Sequence, residues 1–232
     1  MSARRWPRAL VAVDVAAFTV LESDCKLLLI RRGIEPQTTT LALPGGFVRC
    51  GDVVSDQGED LPAAARRELL EETRVDAADL VPVHVFSAPF RDPRTRVLSA
   101  AFLTVVRPEV AAFVRAGSDA AAVRWFSLRD LPKVTLAFDH NDIARACVAR
   151  LQADVDAGHP ALLQALVPRV FSQAELRAAV DAVSGGRSDP GNFRRRFLRW
   201  VDDGLIDAAA GQRVTGRRPA GVWSWAVAAP PP

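Results

Sequence analysis

The sequence predicts two modules: a mixed α/β sandwich, followed by a small domain of two helices and a β-hairpin. Strand-like and helix-like patterns alternate through the first 150 residues, without the β–α–β regularity of a doubly wound sheet. The pattern changes at "DAGHPALLQALVP", residues 156–168, and the charge changes with it. Residues 1–159 hold 20 Lys and Arg against 21 Asp and Glu, whereas residues 160–232 hold 10 against 6. We therefore expect domains at residues 1–157 and 158–232, the second with an anionic partner.

The composition indicates a globular protein of the cytoplasm with no membrane partner. Of the 232 residues 49% are hydrophobic, and no apolar stretch approaches the roughly 20 residues that a membrane span needs. Asp14 interrupts the apolar run near the start of the chain, which indicates a strand and not a signal peptide. Cys25, Cys50 and Cys147 fit neither a disulfide framework nor a zinc pattern, as expected in a reducing compartment.

Local patterns define the elements of the first domain. Paired strands are predicted at "LVAVDVAAFTVL" and "KLLLIRR", joined by the turn "ESD". The stretch "TLALPGGFV" is predicted as a strand that enters a Gly-Gly turn. A helix runs from Pro62 through "AAARRELLEET", because proline is tolerated in a first turn. Further strands in "VPVHVFSAPF", "RVLSAAFLTVV" and "VRWFSLRDLP" precede a helix in "DHNDIARACVARLQADV".

The second domain shows three signals in order. "SQAE" at 172–175 is a capping box that opens a helix ending at Gly185-Gly186. A second helix, "DPGNFRRRFLRWVDDG", has Asp189 as its cap, Pro190 in its first turn and Gly204 near its end. "LIDAAAGQRVTGRRPAGVWSWAV" then alternates around Gly-rich turns, as a short hairpin does. Helix, helix and hairpin in a basic tail are the outline of a winged helix-turn-helix domain.

Three glutamates fall together in "RRELLEET", residues 66–73. Glu68, Glu71 and Glu72 are spaced i, i+3 and i+4, so on a helix they share one face. Such a cluster is unfavourable unless a positive charge lies among the carboxylates. Mg²⁺ and similar hard cations prefer oxygen ligands and bridge to substrate phosphates. Without further signals, a charged and solvated helix face would be an equally good interpretation.

The surrounding residues make a functional site the better interpretation. Glu59, seven residues and then "RELLEE" resemble the distal part of the Nudix hydrolase signature, and "LPGGFV" upstream is how such a motif begins. The resemblance implies that Glu68 and Glu72 are ligands of Mg²⁺ or Mn²⁺ and that Glu71 is a ligand or, in a hydrolase, the catalytic base. It also implies a bracing ion pair between Glu59 and Arg67.

Two departures from that signature affect the expected activity. Twelve residues separate Gly46 from Glu59 where the signature has five, and Arg74 replaces the glycine near its end. A glycine at a helix end commonly takes a positive φ, which arginine adopts at a cost of about 1–2 kcal/mol. Both changes alter loops around the site and leave its carboxylates in place. Since turnover needs tighter geometry than binding, we expect ligand binding more than catalysis. Cys50 in the enlarged loop and Lys133 are interpreted as solvated side chains.

The second helix of the tail has the pattern of a DNA recognition helix. Phe193, Phe197, Trp200 and Val201 form one apolar stripe. The polar side chains that surround it are predicted to contact DNA, because arginine pairs with guanine and asparagine with adenine; they are Asn192, Arg194, Arg195, Arg196 and Arg199. Arg213, Arg217 and Arg218 in the hairpin are predicted to contact phosphates or the minor groove. A basic amphipathic helix that docks on the first domain is the alternative.

Both halves together resemble the Nudix-related transcriptional regulators, the NrtR family, which repress genes of NAD metabolism. The resemblance rests on the Nudix-like domain followed by "FSQAELRAAVDAVSG", "NFRRRF" and "GRRPAGVWSW". It implies a homodimeric repressor on a palindromic double-stranded operator, with a first domain that senses ADP-ribose or another NAD derivative and hydrolyses it little or not at all. Such a protein is a sensor and not principally an enzyme.

The candidate residues for binding the effector are arginines, glutamates and one phenylalanine. Arg49, together with Arg31 or Arg32 at the end of the second strand, is predicted to hold phosphate, and Glu68 and Glu72 to hold the diphosphate through a metal ion. Phe90 is a candidate to stack on adenine, and a core or rim aromatic is the alternative.

Three other functions compete with this interpretation. The intact glutamate cluster would suit an active ADP-ribose or nucleotide-sugar pyrophosphatase with an accessory tail. An RNA-binding or partner-docking tail fused to a Nudix domain is the second competitor. A regulator that slowly hydrolyses its own effector lies between these interpretations.

Overall fold

A computed structural model of the protein describes residues 8–51, 55–77, 79–114, 120–214 and 219–226, with side chains omitted at 120, 121, 213, 214 and 219. The strands are β1 (Leu10–Leu21), β2 (Asp24–Arg32), β3 (Leu41–Ala42), β4 (Gly45–Phe47), β5 (Val81–Phe86), β6 (Val97–Val105), β7 (Ala120–Ser127), β8 (Val170–Ser172), β9 (Ile206–Val214) and β10 (Pro219–Trp225). The helices are α1 (Leu61–Thr73), α2 (Pro108–Ala111), α3 (His140–Ala157), α4 (Pro160–Ala165), α5 (Gln173–Ser184) and α6 (Pro190–Asp202).

A seven-stranded sheet organises the front half of the chain. Its strands follow the order β3-β2-β1-β6-β5, with β4 paired to β1 and β7 paired to β2. Residues 13–20 of β1 are all buried. Because successive side chains of a strand point to opposite faces, both faces of the sheet are covered. The predicted α/β sandwich with a mixed sheet is confirmed.

Helix α1 carries the glutamate cluster, and its limits follow from local chemistry. The Asp60 carboxylate accepts a hydrogen bond from the Ala63 N–H at 2.8 Å, which makes Asp60 the N-cap. Pro62 lies in the first turn, as predicted. Ala65 and Leu69 are buried on the inner face, and the polar face with the glutamates lies against β4. The helix ends at Arg74, whose φ is 62°.

The Gly-Gly turn predicted after "LALP" is wrong. Gly45 and Gly46 lie in β4, which pairs antiparallel with β1 so that Ala12 is opposite Phe47. A Cβ on Gly45 would lie 2.2 Å from the Val13 carbonyl oxygen, and one on Gly46 would lie 2.4 Å from a carboxylate oxygen of Glu68. The glycines are therefore required by the close approach of neighbouring atoms and not by a turn.

The back half has the helix, helix and hairpin order that the sequence predicts. The Ser172 hydroxyl accepts from the Glu175 N–H at 3.2 Å and the Glu175 carboxylate accepts from the Ser172 N–H at 2.6 Å, which is the predicted capping box. Asp189 caps α6 by accepting from the Asn192 N–H at 2.8 Å. A three-stranded sheet in the order β8-β10-β9 completes this part. The three-residue strand β8 is missed by the sequence analysis because its partner in pairing, β10, lies about 50 residues further along the chain.

An aromatic core holds the back half together. Phe193, Phe197 and Trp200 of α6 are buried. Phe197 lies 5.2 Å from Trp223, and Trp200 lies 6.1 Å from Trp225, measured between ring centroids. Edge-to-face and tilted aromatic pairs at this spacing add to the free energy of burial. The predicted apolar stripe of α6 is thus packed against the hairpin.

Residue contacts divide the chain into two compact units. The second consists of Thr19–Lys26, Val105–Phe113 and Leu151–Pro232, and the remainder of the chain forms the first. The domain boundary between residues 157 and 158 stays a prediction. Among the described residues, no helix is long and apolar enough to cross a membrane.

Candidate functional site

Arg67 lies at the centre of the glutamate cluster. Its guanidinium binds both carboxylate oxygens of Glu59, with the Nε–oxygen distance at 2.9 Å. The same group donates to Glu68 at 2.6 Å and to Glu71 at 3.2 Å. The Arg67 side chain is 16% exposed and that of Glu59 is 17% exposed. The positive charge that the cluster requires is therefore supplied from within α1, and the predicted pair of Glu59 with Arg67 is present.

The Arg67 guanidinium lowers the pKa of Glu59 from 4.5 to about 2. A carboxyl group whose pKa is lower in the folded protein than in the unfolded chain adds stability above the unfolded pKa. That stability is lost as the pH falls from about 4.5 toward 2. The pKa of Glu68 is shifted the other way, because burial disfavours its charged form.

Glu59→Gln is expected to lower the free energy of unfolding by about 1–3 kcal/mol near neutral pH, because half-buried Arg67 loses a charged acceptor. The difference between variant and wild type should shrink as the pH falls from about 4.5 toward 2. Urea unfolding at a series of pH values measures it. A difference that stays constant down to the lowest pH would contradict the assignment.

The other two carboxylates also have hydrogen-bonding partners. Glu72 accepts from the Gly45 N–H at 2.9 Å, and Glu71 accepts from the Arg49 guanidinium at 3.1 Å. Arg49 also donates its backbone N–H to Glu59 at 2.8 Å. Strand β4 and the segment after it are therefore tied to the polar face of α1 at several points.

Carboxylates of this kind suit a hard divalent cation. In the part of the chain that the structure describes, no group of three His, Cys, Asp or Glu side chains could close around one metal ion. Glu68, Glu71 and Glu72 instead face Arg67, Arg49 and a backbone N–H. Metal binding by these three glutamates stays a prediction.

Arg74 at the end of α1 has the positive φ that the sequence comparison with the Nudix signature implied. Its φ is 62° and its N–H donates to the Leu70 carbonyl at 3.0 Å.

Arg74→Gly is expected to raise the free energy of unfolding by about 1 kcal/mol, because glycine adopts this conformation without strain. Arg74→Ala keeps a Cβ and should leave stability nearly unchanged. Thermal unfolding of both variants checks this, and equal stability of the two would contradict it.

A cleft opens beside β4 in the first unit. Its rim contains Arg32, Phe47, Arg94 and Phe138. The guanidinium carbon of Arg32 lies 4.9 Å from the Phe138 ring centroid, and that of Arg94 lies 5.5 Å from the Phe47 centroid. Arg94 is also paired with Asp92 at 2.7 Å, which lowers the pKa of that carboxyl group. The rim therefore combines aromatic faces with guanidinium groups.

The floor of the cleft is a buried polar network around Asp14 on β1. The Ser99 hydroxyl donates to Asp14 at 2.5 Å, and Arg91 lies 3.5 Å from the same carboxylate. His140 accepts the Leu43 N–H at 3.0 Å with Nδ1 and places Nε2 3.4 Å from Asp14. Burial lowers the pKa of His140, so the imidazole is neutral and rigidly held at neutral pH.

The predicted effector residues separate into two groups. Arg32 lines the cleft, where burial lowers its pKa and its Nε donates to the Pro36 carbonyl at 3.2 Å. Arg49, Glu68 and Glu72 lie at the polar face of α1. Arg31 is exposed and donates to the Thr39 carbonyl, outside the cleft. Phe90 is 94% exposed and is not part of the cleft lining; the aromatic side chains there are Phe47 and Phe138.

The polar face of α6 presents four of the eight predicted DNA-contacting residues. Asn192, Arg194, Arg195 and Arg199 are exposed, and the Arg195 guanidinium donates to the Asn192 side-chain oxygen. Arg196 differs: its guanidinium lies 4.8 Å from the Trp200 ring centroid and donates to the Val155 carbonyl. Arg196 is thus engaged inside the second unit, and its role as a DNA contact stays a prediction.

The wing of the predicted domain is only partly described. Arg213 lies in β9, and its side chain is outside the described residues. Arg217 and Arg218 lie outside the described residues altogether. Their contacts with DNA stay predictions.

The cleft residues that sequence reasoning missed are far apart in the chain. Asp14, Arg94 and the pair Phe138 and His140 come from three different segments. One signal was available, because Asp14 is an acidic residue within a strand that is otherwise apolar, and a buried carboxylate is rarely retained without charged or hydrogen-bonding partners.

Comparisons with known proteins agree with this geometry. A NUDIX domain model matches residues 11–150. Over 222 residues the chain is 31% identical to the ADPR responsive transcriptional repressor NtrR of Acinetobacter baylyi, covering 96% of this chain and 84% of that protein. Over 131 residues it is 40% identical to an ADP-ribose pyrophosphatase of Methanocaldococcus jannaschii, covering 56% of this chain and 70% of that one.

The fold of the whole chain also has a counterpart among solved structures. The crystal structure of Shewanella oneidensis NrtR complexed with a 27mer DNA matches with a TM-score of 0.75 at 23% identity, covering 93% of each chain. The α/β sandwich and helix α1 with its glutamates are those of a Nudix domain. In this chain that domain is followed by a C-terminal domain of two helices and a hairpin. The chain belongs to the Nudix-related transcriptional regulators, the NrtR family.

Proposed function

We propose that this protein is a cytoplasmic, homodimeric transcriptional repressor of NAD biosynthesis and salvage genes whose Nudix domain senses ADP-ribose. The observation that carries the proposal is the exposed row of Asn192, Arg194, Arg195 and Arg199 on a helix whose opposite face is buried in an aromatic core. A helix fixed in this way presents base-reading side chains at low conformational cost. The Acinetobacter relative, similar over nearly the whole chain, is named as a repressor responsive to ADPR.

The effector is proposed to bind between the cleft and the polar face of α1. The cleft holds about 130 Å³, below the roughly 300–1,000 Å³ of a complete small-molecule site. It therefore accommodates one end of an extended ligand such as ADP-ribose, and the rest lies over β4. Arg32 has a half-buried guanidinium at the cleft, and Arg49 lies at the polar face of α1. These two arginines are assigned to the diphosphate, because guanidinium groups bind phosphate oxygens through charge-assisted hydrogen bonds.

Regulation requires that ADP-ribose bind one dimer arrangement more tightly than the other, since equal binding would leave DNA affinity unchanged. In a two-fold symmetric dimer, the two recognition helices enter major grooves about one helical turn of DNA apart, on a palindrome. We assign to the ADP-ribose-bound dimer a spacing that no longer matches those grooves. ADP-ribose is then expected to release the operator.

Hydrolysis is proposed as a residual activity at most. The glutamate cluster of a pyrophosphatase is retained, and similarity to the Methanocaldococcus enzyme covers the first domain. However, each of the three carboxylates is engaged by an N–H donor. A pyrophosphatase would release AMP from ADP-ribose with Mg²⁺ or Mn²⁺ at a rate that Glu71→Gln abolishes.

The deciding experiment is capture of sheared genomic DNA by the purified protein with and without ADP-ribose, followed by sequencing. Enrichment of one palindrome that is lost on addition of ADP-ribose would support both the operator and the effector. A palindrome whose enrichment does not change when ADP-ribose is added would refute ADP-ribose as the effector. It would still support sequence-specific DNA binding. No enrichment under either condition, with AMP release present, would favour the pyrophosphatase. Preference for single strands over the duplex would favour the RNA-binding alternative.

A further inference from the structure

Arg196 occupies the C-terminal end of α3. The Val155 carbonyl lies two residues before Ala157, in the last turn of the helix, and accepts the Gly158 N–H at 3.0 Å. The Arg196 guanidinium donates to it and brings a positive charge to the negative end of the helix dipole. The same guanidinium lies over the Trp200 ring at 4.8 Å. Arg196 thus joins α6 to the end of α3.

Two further hydrogen bonds join the same end of α3 to α5. The Gln152 side-chain amide donates to the Val183 carbonyl at 3.0 Å, and the Ser184 hydroxyl donates to Asp156 at 3.2 Å. Gly158 follows with a φ of 81°, and a Cβ there would lie 3.4 Å from the Arg196 guanidinium. The final turn of α3 therefore contacts both helices of the helix-turn-helix.

The opposite end of α3 contributes to the effector cleft. The helix begins at His140, which is buried, lines the cleft and accepts the Leu43 N–H. Residues 140–150 of this helix belong to the first compact unit and residues 151–157 to the second. Coupling between two sites requires an element with two arrangements whose equilibrium both sites bias, and α3 is the helix whose residues are shared between the two units.

We propose that Arg196 is a positioning residue through which α3 transmits effector binding to the recognition helix α6. This inference rests on the proposed function, because it assigns the route by which ADP-ribose changes operator affinity. Arg196 holds α6 on the end of α3 and does not read DNA. Breaking this link leaves both ligands bound but removes the influence of one on the other.

The test is the ratio of operator dissociation constants with and without saturating ADP-ribose, measured on the full-length protein. The palindrome recovered from genomic DNA is the probe. Arg196→Met keeps the apolar stem over Trp200 and removes the donor to Val155. Arg196→Lys restores a positive charge and an N–H donor. Arg177→Met is the matched control, since Arg177 lies in the same unit and pairs only weakly with Asp181, at 3.6 Å.

For the wild type and the control we expect a ratio of about 5- to 150-fold, the usual range of coupling between two sites. For Arg196→Met we expect a ratio within about twofold of one, while ADP-ribose still binds. Arg196→Lys should recover part of the wild-type ratio.

A merely structural role of Arg196 would weaken DNA binding equally with and without ADP-ribose and would leave the ratio unchanged. That result would overturn the inference and leave the proposed function standing. A wild-type ratio of one would overturn both. If Arg196→Met does not fold, Arg196→Gln replaces it, because it also removes the positive charge at the end of α3; a wild-type ratio in that variant would overturn the inference.

Discussion

Replacing Asn192 and Arg195 together by alanine is expected to weaken binding to the palindromic operator by about 30-fold to 10⁴-fold, because each bidentate base contact contributes about 1–3 kcal/mol of discrimination. Both side chains are exposed, and they contact each other one turn apart on α6. The cap of this helix uses the backbone N–H of Asn192 and the side chain of Asp189, so neither substitution removes it. The variant should therefore unfold at the temperature of the wild type.

The distinguishing measurement is binding to the operator and to a random duplex of equal length, by fluorescence anisotropy at several salt concentrations. Loss of base reading lowers operator affinity far more than random-duplex affinity, and the salt dependence changes only by the one charge removed. Equal losses on both duplexes would show that these residues contact phosphates and that specificity lies elsewhere.

Arg32→Ala is expected to weaken ADP-ribose binding by about 10- to 150-fold, since a hydrogen bond to a charged group contributes about 1.5–3 kcal/mol. The half-buried guanidinium of Arg32 lies at the cleft over Phe138. The concentration of ADP-ribose that releases the operator should rise by the same factor, while operator affinity without ligand stays unchanged.

Arg31→Ala is the comparison, because Arg31 precedes Arg32 on the same strand and faces away from the cleft. Isothermal titration calorimetry with ADP-ribose on both variants measures the two dissociation constants. A large loss for Arg31→Ala with none for Arg32→Ala would contradict the assignment of the cleft as the effector site.

The sequence predicted best those features that depend on neighbours within a few positions. The Ser172–Glu175 capping box and the Asp189 cap were predicted correctly because a cap is a contact between residues three positions apart. The requirement for a positive charge among the glutamates was met by Arg67, within one turn of Glu68 and Glu71.

The misjudged features depend on atoms that are distant in sequence. The glycines of "LPGG" were interpreted as a turn, because the sequence does not reveal that the Val13 carbonyl lies against Gly45. The prediction that Arg196 contacts DNA stays a prediction, and the sequence did not distinguish its surroundings from those of Arg194 and Arg195. Whether an arginine on the flank of a stripe reads DNA or binds inside the protein depends on what packs beside it, and here that is the end of α3.

By itself, the sequence determined the order of elements, the caps, the glutamate face of α1 and the amphipathic pattern of α6, since these follow from backbone periodicity and local hydrogen bonding. Only the tertiary structure decided which arginine lines the cleft, which aromatic rings accompany it and which residues form its polar floor. The physical reason is that Asp14, Arg91 and His140 are far apart in the chain and meet only when it folds, and a buried charge is stable only where distant partners are brought to it.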